Sequence, residues 1–146
     1  MIVYLDASAL VKRYVAERGT RETAALTADA DLVATSLVSR AEVAAALSKA
    51  VRLRILTAAS GRTARRAFAS DWADIARIDP TEALLLRAEQ MAWSHALRGY
   101  DAVHLASAFV CQDLAGVPVT LATFDRQLWL AGREAGIDVW PAEPVS

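Results

Sequence analysis

Short segments rich in β-branched and apolar residues alternate with longer helical segments, and this alternation restricts the fold more than any other feature of the chain. The strand-like segments are residues 2–5, 32–35, 117–122 and 137–140. The helical segments are residues 7–17, 20–29, 39–56, 63–76, 80–97, 101–114 and 125–134. Strands separated by helices imply an α/β fold with a parallel sheet covered on both faces and connected by right-handed crossovers.

Three local signals set helix boundaries in this prediction. Gly61 is expected near a break between helices. Asp79 has the character of an N-cap, with Pro80 at the first helical position. Gly136 is expected as the C-cap of the helix that precedes the last strand.

Length and composition restrict the class of protein further. The 146 residues suit one domain, residues 1–146, and hydrophobic residues make up 55% of them, so the chain should fold rather than remain disordered. A net charge of −1 gives no overall attraction for nucleic acid, so binding of a polyanion must depend on a local patch or a metal. The sequence shows no basic leader, and no apolar run approaches the roughly 18 residues that a membrane span needs. The cytoplasm is therefore the expected location.

Four acidic residues follow or lie near the ends of predicted strands. Asp6 comes directly after the first strand, and Asp125 follows the strand of residues 117–122 by a short turn. Glu42 lies early in the helix that follows the second strand, and Asp101 lies at the start of an otherwise apolar helix. Because ligands of open α/β sheets bind at the carboxyl ends of the strands, we expect the four side chains to converge.

Helix capping is the alternative for each acid taken singly. Asp6, Asp101 and Asp125 are each placed as N-caps, and Ser39-Arg40-Ala41-Glu42 has the form of a capping box. Convergence distinguishes the two interpretations, because two carboxylates about 4 Å apart repel by about 4 kcal/mol at an effective dielectric of about 20. A bound cation would relieve that repulsion.

The donor chemistry indicates which cation and which reaction to expect. Carboxylate oxygens favour Mg²⁺ or Mn²⁺, whereas zinc prefers His or Cys, and His95 and His104 form no ligand pair. A metal with open coordination positions suits phosphodiester hydrolysis by an activated water, with one ion or two. No Ser-His-Asp elbow, P-loop or dinucleotide fingerprint competes for the site.

The acids lie in four motifs with a recognisable order: Tyr4-Leu5-Asp6-Ala7-Ser8-Ala9-Leu10, Arg40-Ala41-Glu42-Val43, Tyr100-Asp101-Ala102-Val103-His104-Leu105-Ala106 and Thr123-Phe124-Asp125. At these residues the chain resembles the PIN-domain nucleases, and most closely the VapC-type toxins of type II toxin–antitoxin pairs. The resemblance covers nearly the whole chain. It implies a three-layer α/β/α sandwich with a short parallel sheet.

The resemblance also implies an activity, a cofactor and partners. The activity is that of an endoribonuclease dependent on Mg²⁺ or Mn²⁺, with Asp6, Glu42, Asp101 and Asp125 as the metal and catalytic acids. Ser8 and Thr123 are implied to support the site by hydrogen bonding. The implied partners are an RNA substrate, a cognate antitoxin protein and a second copy of the chain in a homodimer, with no membrane.

A basic segment is the candidate for RNA contact. Residues 43–70 contain no acid but carry a set of cations that includes Lys49, Arg52, Arg62 and Arg65. In a chain of net charge −1, this local excess of positive charge suits the binding of an RNA backbone. A solvated pair of helices, or a surface for an acidic antitoxin segment, is the alternative. Arg98 is a further candidate for the substrate phosphate, and a structural ion pair is its alternative.

Two other functions remain open from the sequence. One is a PIN nuclease that acts in RNA processing outside a toxin–antitoxin system. The other is a non-catalytic module that uses its acidic pocket to dock a basic peptide without metal. Trp72, Trp93, Trp129 and Trp140 are expected in the core or in a dimer interface rather than as platforms for bases. His104 is expected to be a hydrogen-bonded helix residue rather than a general base.

Overall fold

The protein, described by a computed structural model over residues 1–145, is built on a five-stranded parallel sheet. The strands lie in the order β3-β2-β1-β4-β5, so that β1 is central. All four pairings between neighbouring strands are parallel. The strand bounds are β1 (Ile2–Leu5), β2 (Leu32–Ser36), β3 (Ala76–Ile78), β4 (Val119–Ala122) and β5 (Asp138–Trp140).

Helices connect the strands and cover both faces of the sheet. Within residues 1–145 they are α1 (Ala7–Leu10), α2 (Thr20–Asp29), α3 (Ser39–Arg52), α4 (Ala58–Asp71), α5 (Glu82–His95), α6 (Gly99–Ala115) and α7 (Arg126–Ala135). Short 3-10 turns follow α1 and α4, at Val11–Arg13 and Trp72–Asp74. No helix in the described part of the chain is both long enough and apolar enough to cross a membrane.

Two hydrophobic clusters form the core, one for each side of the sheet. Tyr4 of β1 packs in a cluster with Leu105 of α6 and Leu128 of α7. Leu5, the next residue of β1, packs in the other cluster with residues of α3 and α4 such as Phe68. Successive residues of a strand point to opposite faces, so β1 contributes to both clusters. The α/β prediction and its three-layer arrangement are therefore confirmed.

The edge strand β3 differs from the prediction, which placed residues 63–76 in one helix. The structure ends α4 at Asp71 and pairs β3 in parallel with β2, with Ala76 opposite Ala34 and Ile78 opposite Ser36. Ala76, Arg77 and Ile78 do alternate between apolar and charged, but three residues are too short a segment to indicate a strand from the sequence. Pairing along β2, rather than a local preference, makes this segment a strand.

Two predicted helices are shorter than expected. The predicted helix of residues 7–17 has α-helical form only over Ala7–Leu10, followed by a single 3-10 turn. The predicted helix of residues 39–56 ends at Arg52, because Arg54 adopts a left-handed conformation with a φ of 57°. A right-handed helix cannot continue through that backbone angle.

Two of the three boundary signals were also wrong. Gly61 lies inside α4 rather than at a break, and an added Cβ there would stand 2.5 Å from Val51 Cγ2, so the glycine permits close packing of α4 on α3. Thr81, not Asp79, is the N-cap of α5, and its hydroxyl accepts a hydrogen bond from the Leu84 N–H. Gly136 is the C-cap of α7, as predicted.

Candidate active site

The candidate site lies where the central strands β1 and β4 end. Asp6 directly follows β1, and the turn Thr123-Phe124-Asp125 follows β4, which is paired with β1 through Leu5 and Ala122. Glu42 lies in the first turn of α3, after β2, and Asp101 lies in the first turn of α6. The fold therefore presents all four predicted acids from elements that begin at the carboxyl edge of the sheet.

Asp6 is the most enclosed of the four acids, with 3% of its surface exposed. Its Oδ1 accepts hydrogen bonds from Ser8 Oγ at 2.7 Å and from the Ala9 N–H at 2.9 Å. Its Oδ2 accepts from Thr123 Oγ1 at 2.7 Å. Burial raises the pKa of Asp6, although the charge of His104 and these hydrogen bonds oppose that effect. Hydrogen bonds from Ser8 and Ala9 to one oxygen, and from Thr123 to the other, thus fix the orientation of the carboxylate.

Ser8 and Thr123 also join the ends of β1 and β4 to each other. The Phe124 N–H donates to Ser8 Oγ at 2.9 Å, and the Asp125 N–H donates to Thr123 Oγ1 at 3.0 Å. Each hydroxyl therefore donates one hydrogen bond to Asp6 and accepts one from a backbone N–H of the turn. Their support of an active site stays a prediction, and these hydrogen bonds to Asp6 are the contacts that it requires.

Glu42 is held by a buried pair of aromatic residues. His104 Nε2 lies 2.7 Å from Glu42 Oε1, and His104 Nδ1 lies 2.8 Å from the Tyr4 hydroxyl. Burial lowers the pKa of His104, but the hydrogen bond to Glu42 and the charges of Asp6, Glu42 and Asp101 outweigh it, so the pKa is raised overall. His104 is a hydrogen-bonded helix residue, as expected, and its partner is one of the four acids.

Asp101 and Asp125, which we call the outer acid pair, share one arginine. Arg98 Nε donates to Asp101 Oδ2 at 3.1 Å, and Arg98 Nη2 donates to Asp125 Oδ2 at 3.0 Å. Burial and the charge of Asp125 raise the pKa of Asp101, and Arg98 opposes both effects. The two carboxylates are therefore close enough to repel each other, with a guanidinium group between them.

The capping alternative applies to two of the four acids. Asp6 caps α1, and Asp125 caps α7 by accepting from the Leu128 N–H at 3.0 Å. The N-cap of α6 is Arg98 rather than Asp101. The capping box at Ser39 is absent, because Val38 precedes α3 and Ser39 Oγ bonds with Thr35 Oγ1 at 2.6 Å. Asp101 and Glu42 thus have no capping role.

The donor types fit a hard divalent cation. Four carboxylates approach from four elements, the only thiol among residues 1–145 is the buried Cys111, and the His104 ring is already committed to Tyr4 and Glu42. The raised pKa values of Asp6 and Asp101 indicate carboxylates that would gain from added positive charge. Within the same residues, however, no group of three or more His, Cys, Asp or Glu side chains is drawn together tightly enough to hold a metal as it stands.

The basic residues predicted to contact RNA separate into two locations. Arg52, Arg62 and Arg65 line an open groove of about 460 Å³ between α3 and α4, whose apolar part includes Leu47 and Val51. Lys49 is exposed on α3. Arg98 is bound to the outer acid pair instead. The groove begins at Ala44, two residues beyond Glu42 on the same helix.

Sequence reasoning left an ion pair of Arg98 open without naming its partners, and it missed the contact of His104 with Glu42. Both residues lie three positions from Asp101 on the same helical segment, which places all three near one another by helical spacing. That spacing was the available signal. It predicts nearness to Asp101, but not the contacts with Asp125 and Glu42. Those contacts depend on where the fold places the start of α6 relative to the start of α3, across the sheet, and to the turn after β4.

Comparisons with known proteins agree with this fold. A family model described as the PIN domain matches residues 3–131. Ribonuclease VapC45 of Mycobacterium tuberculosis strain CDC 1551 / Oshkosh and ribonuclease VapC49 of strain ATCC 25618 / H37Rv are each 37% identical over 142 residues, which cover 97% of this chain and 96% of the relative.

Solved structures show the same fold at lower identity. A toxin–antitoxin complex from Klebsiella pneumoniae superposes with a TM-score of 0.65 and 18% identity, over 98% of this chain and 99% of that chain. Mycobacterium tuberculosis VapC20, described as a Sarcin-Ricin loop cleaving toxin, superposes with a TM-score of 0.64 and 18% identity, over 92% and 95% of the two chains.

Proposed function

The chain belongs to the PIN-domain family, and we propose that it is a divalent-metal-dependent endoribonuclease, the toxin of a toxin–antitoxin pair. The observation that carries the proposal is the convergence of Asp6, Glu42, Asp101 and Asp125 at the carboxyl edge of the sheet. The two relatives that are 37% identical over nearly the whole chain bear the name ribonuclease, which supports the substrate class.

In this proposal the four acids hold a Mg²⁺ or Mn²⁺ ion and orient the attacking water. When bound, the cation supplies Lewis acidity that makes water a better nucleophile and offsets charge developing on the phosphodiester. Ser8 and Thr123 fix both oxygens of Asp6, so its unshared lone pairs point in a set direction. His104 does the same for Glu42 through one oxygen. Such fixed orientation lowers the reorganisation that the reaction requires.

RNA recognition is proposed for the cationic groove between α3 and α4. Arg52, Arg62 and Arg65 line it, and Lys49 is exposed on the same helix as Arg52. Phosphate contacts of this kind give affinity that falls with salt and carries no sequence preference by itself. Arg98 is proposed as a further phosphate contact beside the outer acid pair.

Two protein partners complete the proposal. An antitoxin is supported by the structural neighbours described as toxin–antitoxin complexes. A homodimer is supported by an exposed apolar surface on α5 and the start of α6, where Trp93 is 89% exposed and Leu86 and Tyr100 are more than half exposed. We further propose that residues 1–146 form one domain that acts in the cytoplasm; Ser146 lies outside the described residues.

The test is cleavage of total RNA by purified protein with Mg²⁺, with Mn²⁺ or with EDTA. Asp101→Asn should lower metal-dependent cleavage on the order of 100-fold, since a charge aimed at the reacting groups is lost. The matched control is Asp113→Asn on the same helix, whose carboxylate pairs with Arg87 at the surface. Asp101→Asn should fold normally because Asp101 caps no helix. Cleavage by a folded Asp101→Asn at the rate of the control would contradict the assignment.

The same preparation separates the other two functions. A docking module would bind a basic peptide and show neither Mn²⁺ binding nor metal-dependent cleavage. A nuclease of RNA processing would cleave RNA but would not arrest growth when expressed. Growth arrest that a co-expressed neighbouring protein relieves is the result expected for a toxin.

A further inference from the structure

Arg98 makes an unusual pair of contacts for an exposed residue. It stands directly before α6 with an extended backbone, and 78% of its side chain is exposed. Even so, Nε and Nη2 of its guanidinium bind one oxygen of each member of the outer acid pair. A single flexible side chain therefore spans two carboxylates that come from different elements.

Charge alone explains this position of the Arg98 side chain. Within the described part of the chain, no aromatic ring lies beneath its guanidinium. The neighbouring Gly99 is surrounded by open space, since an added Cβ would meet no atom within 4 Å. Arg98 is thus not part of a packed wall, and its contacts with Asp101 and Asp125 can break without loss of core packing.

We propose that Arg98 is the built-in counter-cation of the outer acid pair and competes with divalent metal for the oxygens of Asp101 and Asp125. This inference rests on the proposed function, because it concerns the metal that the same acids would bind. The protein thereby carries its own weak inhibitor of metal binding. Metal entry releases the guanidinium at the edge of the site, where it becomes free to bind a phosphate oxygen of the RNA.

The competition follows from which oxygens are used. Asp125 Oδ1 is already committed to capping α7 through the Leu128 N–H. Asp125 Oδ2 is the remaining oxygen, and it accepts from Arg98 at 3.0 Å. A cation bound to that oxygen would be repelled by the positively charged guanidinium beside it, so the cation and Arg98 each weaken the binding of the other to the outer acid pair.

The expected size of the effect is moderate because Arg98 is exposed. An exposed ion pair contributes a factor of about 1.4 to 5 to an equilibrium constant, and two pairs contribute about 2 to 30. Removing Arg98 should therefore tighten metal binding by about fivefold. The gain should shrink as salt is added, because exposed charges are screened within about 10 Å at 0.1 M ionic strength.

The first measurement is calorimetric titration of Mn²⁺ into the wild-type protein, Arg98→Gln and Arg126→Gln. Arg98 makes no side-chain capping bond, so glutamine at this position removes no helix cap. Arg126 is the control, since it is an exposed arginine beside Asp125 that forms no ion pair among residues 1–145. Arg98→Gln should bind Mn²⁺ about fivefold more tightly than wild type, and Arg126→Gln should change much less.

A second measurement follows the guanidinium itself by NMR. In metal-free protein the Arg98 Nε–H, identified by its loss in Arg98→Gln, should be protected from solvent exchange by its bond to Asp101. Diamagnetic Mg²⁺ should remove that protection at the same concentrations at which it binds.

Three results would overturn the inference. In the first, all three proteins bind Mn²⁺ but Arg98→Gln binds it no more tightly than Arg126→Gln. This result refutes the competition and leaves the metal site of the proposed function in place. Absence of Mn²⁺ binding from all three proteins refutes the metal site and this inference together. Protection of the Arg98 Nε–H that survives saturating Mg²⁺ also refutes the competition.

Discussion

Replacing Thr123 with valine should destabilise the metal-free protein, because this buried hydroxyl joins the two central strands through the site. Its Oγ1 donates to Asp6 Oδ2 at 2.7 Å and accepts from the Asp125 N–H at 3.0 Å. A bond to a charged group contributes about 1.5–3 kcal/mol, and a neutral one about 0.5–1.5 kcal/mol. The expected loss is therefore about 2–4.5 kcal/mol, out of a total stability of about 5–15 kcal/mol for a typical domain.

The assay is urea denaturation in EDTA at pH 7, with Thr120→Val as the control. Thr120 lies on the same strand, β4, and its hydroxyl forms no hydrogen bond within the described residues. Valine at that half-buried position should change the free energy of unfolding by less than about 0.5 kcal/mol. Equal losses for the two variants would refute the idea that the Thr123 hydroxyl supports the buried carboxylate.

The loss for Thr123→Val should also depend on pH with a definite sign. Burial raises the pKa of Asp6 in the folded state above the ordinary value of 3.8. Folding thus disfavours the ionised carboxylate of Asp6. The protein therefore loses stability as the pH rises from the unfolded pKa of Asp6 through its folded pKa. Removing the Thr123 donor raises the folded pKa further, so the loss should be larger at pH 7 than near pH 4. A loss that is independent of pH would show that the carboxylate is not involved.

Two other predictions test neighbouring parts of the molecule. Glu42→Gln should lower the pKa of His104 in metal-free protein, measured by NMR titration of its ring, because the hydrogen bond and the charge of Glu42 no longer oppose the effect of burial. The stability that His104 contributes below pH 6.5, and loses as the pH rises through its folded pKa, should decrease with it, and an unchanged titration would contradict the contact. Trp93→Lys should convert a dimer to a monomer in light scattering while leaving the melting temperature of the monomer unchanged, since Trp93 is 89% exposed; a dimer that persists would place the interface elsewhere.

Much of the layout around the site could be predicted from the sequence because the relevant signals are local. β1 is a short apolar segment followed at once by an acid, and α2 has the predicted bounds, Thr20–Asp29. Asp6 and Asp125 follow central strands, and in a parallel sheet the ends of neighbouring strands meet. Position in the chain therefore determines which acids lie at one edge of the sheet.

The remainder depends on tertiary packing that no local pattern contains. β3 is a strand because β2 offers it an edge, and the glycine at position 61 marks close packing of α4 on Val51 rather than a break in the helix. The contact of His104 with Glu42 requires the start of α6 to lie near the start of α3 across the sheet. The contact of Arg98 with Asp125 requires the start of α6 to face the turn after β4. Helical spacing gave the neighbours of Asp101 but not these partners.

Capping and metal binding, which the sequence left as alternatives, are compatible at Asp6 and Asp125. A carboxylate offers about four lone-pair positions, and a cap uses one of them. Asp125 caps α7 through Oδ1 while Oδ2 faces Arg98, so the cap orients the free oxygen toward the site. Asp6 is oriented in the same way by the Ala9 N–H and two hydroxyls. Helix caps at the ends of β1 and β4 therefore orient two of the four predicted site acids, and the frequency of Asp at N-caps is no argument against the catalytic role proposed for them.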